Sequence, residues 1–117
     1  MLDDRTYREP PVFTHAELVG ELNSGDPNRI ANALTSAVRH DNDWRWVQNE
    51  CLKFLQHSDV AVRWAAATCL GDLAFFFRRP IDHHKVLSAL YKAAEDAAIA
   101  DPAQFSISLI KQRFRSS

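Results

Sequence analysis

Residues 57–77 read HSDVAVRWAAATCLGDLAFFF, and this stretch limits the fold more than any other. Val62, Ala66, Cys69, Leu70 and Leu73 recur at the three- and four-residue spacing that lines one face of an α-helix. The stretch predicts a helix from a Ser58 or Asp59 cap to about Phe77. Pro80 is expected to end it, because proline disfavours helical geometry in the residue before itself. Trp64 falls on the face opposite the core stripe, so the question is what that indole packs against.

Caps and apolar spacing extend the pattern to an all-α fold of about six helices, and only 3 glycines occur in the chain. The first helix is predicted from Thr14, where Thr14 and Glu17 form a capping box stapled by Phe13 and Leu18. Leu18, Val19 and Leu22 then face inward, and Ser24-Gly25 is the stop. Asp26-Pro27 opens the second helix as N-cap and first helical proline, with Ile30, Ala33, Leu34, Ala37 and Val38 as its stripe. After a polar break at 41–43, the third helix carries Trp44, Val47, Cys51, Leu52 and Leu55 on one face. Asp82 opens the fifth, with Val86, Leu87, Leu90, Ala94 and Ala97 inward. Asp101-Pro102 repeats the start signal for the sixth. There FSISLI (105–110) also alternates with period two, but the start signal and the lack of a partner strand favour a helix.

Composition narrows the function classes. The chain has 117 residues, 46% hydrophobic and 25% charged, which fits a single domain over 1–117 with residues 1–13 as an N-terminal arm. Lys and Arg total 14 against 15 Asp and Glu, and the pI is about 6.5. That balance disfavours a nucleic-acid partner, which calls for a basic excess. The start, MLDDRTYREPPVF, lacks the basic and apolar regions of a secretory signal. No apolar run approaches the ~20 residues that cross a bilayer. A cytoplasmic location without a membrane partner is the expectation. Cys51 and Cys69 fall on core faces, where reduced cysteine acts as a small hydrophobe.

The second, fourth and sixth helices can be overlaid from their start signals. Four and eight residues on stand Ile30 and Leu34, then Val62 and Ala66, then Phe105 and Leu109. The stretch SDVAVRWAAATCLGDLA resembles the second helix of a HEAT repeat in Val62-Arg63, Ala65-Ala66 and Leu70-Gly71 followed by Leu73. The resemblance implies three stacked antiparallel hairpins, a HEAT-like α-solenoid, with the second helices lining its inner wall. Such arrays bury a continuous core only by stacking.

From Trp44 to about Leu90 the chain is similar to small HEAT-like immunity proteins of bacterial toxin/immunity (contact-dependent growth inhibition) systems. This implies an immunity protein that binds a cognate toxin domain, such as a nuclease, as a heterodimer and occludes its active site. The alternative is a HEAT-like adaptor or assembly subunit with no inhibitory role.

On a helical wheel, Trp64, Ala67, Gly71 and Phe75 point away from the core stripe. They are expected to form a shallow trough with small residues at 67 and 71 and aromatic walls at 64 and 75. Exposed rings beside small residues suit a protein partner, while packing against REPPVF (8–13) or a neighbouring helix is the competing reading. The expected partner-binding set is Trp64, Phe75, Asp72, Trp46, Glu50, Asp41 and Asp43, the acids answering a basic toxin cleft. Asp43 also suits an N-cap. Catalysis, cofactors, metals and a small-molecule substrate are not expected. His83 and His84 are adjacent and are expected on different faces, and no phosphate loop, nucleophile elbow or zinc cysteine set occurs.

Overall fold

A computed structural model describes residues 12–115; the expected arm up to residue 11 lies outside them. Six helices follow one another, and no strand occurs among the described residues: α1 (His15–Leu22), α2 (Pro27–His40), α3 (Trp44–Phe54), α4 (Val60–Phe75), α5 (His83–Ala93) and α6 (Ala100–Phe114). The all-α expectation holds, and FSISLI is helical throughout.

Local chemistry sets most of the helix starts. Thr14 and Glu17 complete the capping box of α1. The Asp26 carboxylate accepts from the Asn28 and Arg29 amides ahead of α2, Asp43 accepts from the Trp46 amide at α3, and Asp59 accepts from Ala61 and Val62 at α4. Each cap satisfies backbone donors that have no partner inside the helix.

Consecutive helices pair as hairpins, α1 with α2, α3 with α4 and α5 with α6, while α4 packs between α2 and α6. The pairs are antiparallel. His15 at the start of α1 bonds Asp41 just past the end of α2, and His83 at the start of α5 stacks on Phe114 at the end of α6. The core runs through the molecule along α4, whose Val62, Ala66, Leu70 and Leu73 meet Ile30, Leu34 and Val38 of α2, Val47 and Cys51 of α3, and Ile110 of α6 in one buried cluster. Cys51 and Cys69 are both free and buried there. A hydrogen bond with Cys69, and then burial, hold the Cys51 thiol well above its ordinary range.

Several expectations shift. Val19 is exposed, because α1 is short and uses only Leu18 and Leu22. α4 ends at Phe75, before the proline can act: Arg78 adopts a left-handed conformation (φ 56°), and the Arg79 amide turns back onto the Leu73 carbonyl at 3.0 Å. α5 stops at Ala93, so Ala97 lies exposed in the following turn. α6 then starts early, with Ile99 as its cap, and Asp101-Pro102 falls inside the first turn. The helix is thereby rotated from the expected phase: Ala103, Ser106, Ile107 and Ile110 are buried and Phe105 is exposed. Counted from Ile99, positions four and eight are the apolar Ala103 and Ile107, but counted from the observed Asp59 cap of α4 they are Arg63 and Ala67, so the overlay does not hold across the three helices.

One joint was not anticipated. Gln48 is fully buried, donating to the Asp82 carboxylate at 3.0 Å and accepting from the Asp82 amide at 2.7 Å. It ties the start of α3 to the start of α5, and Asp82 makes no cap within its own helix. Gln48→Ala should therefore cost about 2 kcal/mol, since it leaves the Asp82 amide without its acceptor and removes packing, while the Asp82 carboxylate keeps its contact with Arg45. Urea unfolding measures this, with the loss absent if the joint is dispensable.

Candidate functional site

α4 has neighbours on three sides, and the side left open decides what can bind there. Its core stripe faces α2 and α3 as expected. The expected trough does not exist, because Ala67 and Gly71 are buried under α6. The Ser106 hydroxyl donates to the Ala67 carbonyl at 2.6 Å, and a Cβ added at Gly71 would come within 2.9 Å of the Ser106 Cα. The small residues there serve helix–helix approach. The open strip is displaced by one residue and runs through Ala61, Trp64, Ala65, Thr68, Asp72 and Phe76, all exposed or intermediate.

Trp64 is 45% exposed and Val60, one turn before it, 44%. With Ser58, Asp59, Ala61 and Ala65 they line a shallow depression at the start of α4. Among the described residues the Trp64 indole makes no hydrogen bond or ring contact, and at this exposure they do not enclose it. Phe75 is half-buried; Phe76 meets its ring edge-on at 5.2 Å, and the Arg78 guanidinium stands 5.4 Å from its centroid. Trp64 and Phe75 thus mark opposite ends of α4, about 16 Å apart at 1.5 Å per residue.

The other expected residues form a separate group at the α2–α3 corner. Trp46 is half-buried with the His15 ring against it at 4.1 Å. Asp41 has a nearly covered side chain (7% exposed) bonded to His15 Nδ1 at 2.9 Å, and its other oxygen accepts from the Asp43 amide. Asp43 caps α3, and Glu50 pairs with Lys53 at 2.9 Å. Three of the four expected acids are therefore already engaged within the chain.

Asp72 is the exception. It makes no hydrogen bond through its carboxylate and no ion pair among the described residues. Burial pushes its pKa above the ordinary carboxylate value, with Arg39 pulling partly back. It lies in a depression with Thr35, Val38, Arg39, Cys69, Phe76 and Phe77.

Sequence reasoning missed Phe76 (61% exposed), Phe77 (38%) and Phe105 (61%). Phe76 and Phe77 could have been suspected because the FFF run continues past the last core position, Leu73. Phe105 was obscured by the phase error in α6. His83 and His84 do not diverge as expected, since their rings lie 4.3 Å apart. No group of three metal-ligating side chains stands together among the described residues. No helix is long and apolar enough to cross a membrane, again among the described residues.

The described residues form an all-helical protein of three paired hairpins with an open aromatic strip on its central helix. No known family model matches the chain, and no curated protein is significantly similar in sequence. Among solved structures, the chain is similar to one in the crystal structure of a CDI complex from Cupriavidus taiwanensis. The TM-score is 0.81 at 27% identity, covering 92% of this chain and 96% of that one. The resemblance to a component of a toxin/immunity system, read above from part of the sequence, extends over nearly the whole chain.

Proposed function

We propose that this chain is an immunity protein, which binds a cognate bacterial toxin domain in the cytoplasm and occludes its active site. The observation that carries the reading is the nearly full-length similarity to a chain of a CDI complex. A six-helix, HEAT-like stack suits the task, since a rigid scaffold offers a preformed surface and little ordering cost on binding. The protein acts by stoichiometric binding and has no turnover of its own. Trp64 is the apolar anchor of the surface, with Asp72 and Phe75 at the other end of the same helix and Trp46, Glu50, Asp41 and Asp43 on the adjoining corner. A toxin with a basic cleft, as a nuclease has, would complement the one unpaired acid among them.

The reading expects a large secreted protein to be encoded directly beside this gene, and the test uses the C-terminal domain of that protein. Expression of that domain in the bacterial cytoplasm should arrest growth, and co-expression of this chain should restore it. The purified pair should form a 1:1 complex with a Kd on the order of 10 nM or tighter, as interfaces of inhibitor size allow. Unrelieved growth arrest with no complex in gel filtration would remove the reading.

A further inference from the structure

The depression between the C-terminal halves of α2 and α4 holds an arrangement that the described residues do not complete. Asp72 stands within it, intermediate in exposure, its carboxylate without a bonded partner among the described residues. Val38 and Cys69 give it apolar walls, and Phe76 and Phe77 project from the rim although both are large apolar side chains exposed to water. The space is about 370 Å³, room for one long side chain. A carboxylate partly covered by apolar walls loses hydration, and a cation bonded to it restores that loss. Phenyl faces attract the same charge, as the Arg78 guanidinium over the neighbouring Phe75 ring already illustrates. Arg39 shares the depression and lowers the Asp72 pKa through space, but it makes no ion pair with it.

We infer that this depression receives a lysine or arginine side chain of the toxin domain, with Asp72 as its counter-ion and Phe76 and Phe77 as its aromatic rim. The inference rests on the immunity reading and adds the chemistry of one contact: an extended cationic side chain whose aliphatic stem lies along the exposed Phe76 and Phe77 rings. Desolvation raises the Asp72 pKa in the free chain. Its ionisation therefore costs folded stability as pH rises through that value, and Asp72→Asn should leave the free protein as stable as the parent at neutral pH, or more so. Binding and stability would then move in opposite directions, which a purely structural aspartate does not produce.

The experiment pairs the full chain with the neighbouring-gene domain in its catalytically inactive form. Asp72→Asn should weaken binding about tenfold, through faster dissociation, with an unchanged or raised Tm. Phe76→Ala should weaken it too. In a double-mutant cycle, Asp72→Asn should couple to the loss of one lysine or arginine of the toxin domain, and the Asp72 carboxyl pKa followed by NMR should fall in the complex. Unchanged affinity for Asp72→Asn with the parent chain binding normally, or no coupled cation, overturns this inference alone. An Asp72→Asn effect that disappears in an Arg39→Ala background also overturns it, since Asp72 would then act by holding Arg39. Failure of the parent chain to bind the domain overturns both this inference and the immunity reading.

Discussion

Gly71→Ala is expected to lower the stability of the folded chain by about 2–4 kcal/mol, although alanine is the better helix former by about 1 kcal/mol. Gly71 lies inside α4 with Ser106 of α6 directly over it. An added Cβ would sit 2.8 Å from the Ser106 Cβ and 2.9 Å from its Cα, and closer still to the Ser106 hydroxyl oxygen. Two of those atoms cannot be rotated aside, so α6 as a whole must retreat. Retreat lengthens the 2.6 Å bond from the Ser106 hydroxyl to the Ala67 carbonyl and opens a packed seam that includes Ala103 and Ile110. A chain of this size holds only ~5–15 kcal/mol of stability in total, so the change should be plain in urea unfolding. Ser106→Gly made on top of Gly71→Ala should recover part of the loss, giving a non-additive cycle as expected for residues in contact. A Gly71→Ala midpoint at or above that of the parent would mean that α4 and α6 do not approach so closely.

That glycine also shows what was legible in the sequence. The Leu70-Gly71 motif marked a small residue in the right place on α4, but not the side it serves. Its partner, Ser106, lies far along the chain on a helix whose start was misplaced. Helix starts carried by a local side chain could be read directly: Thr14 with Glu17, Asp26-Pro27, Asp43 and Asp59 all cap as expected. The sixth start could not, because Ile99 gives no capping hydrogen bond, and its place depends on where the turn after Ala93 returns the chain. Gln48, between Val47 and Cys51, was hidden for a similar reason: its value comes from Asp82, which only the fold brings near.

The candidate site was partly legible on the same grounds. That Trp64 leaves the core stripe followed from helical periodicity alone. That Asp41 is covered by His15, or that Glu50 is held by Lys53, did not, because a carboxylate's availability depends on its neighbours in space. Of the expected acids only Asp72 has a carboxylate without a hydrogen-bonded or ion-paired partner among the described residues, which makes it the most informative of them for binding.

Trp64→Ala should weaken binding to the cognate toxin domain by about 2 kcal/mol or more, roughly thirtyfold, as expected for a tryptophan at the centre of an interface. The ring is 45% exposed and continuous with the exposed Val60, in the depression that also holds Ala61 and Ala65. Apolar area held in water by the free chain becomes driving force when a partner covers it. Loss of the ring should meanwhile cost the folded chain no more than about 1–2 kcal/mol, around half of what full burial of a large apolar side chain contributes. The ratio of the two effects carries the argument. A binding loss larger than the stability loss identifies a ring kept at the surface for another polypeptide. If calorimetry returned a binding loss under about 0.5 kcal/mol with a stability loss of several, α4 would be using Trp64 to hold its own chain. The partner would then have to be sought on the corner of Trp46 and His15, where the indole is already half covered.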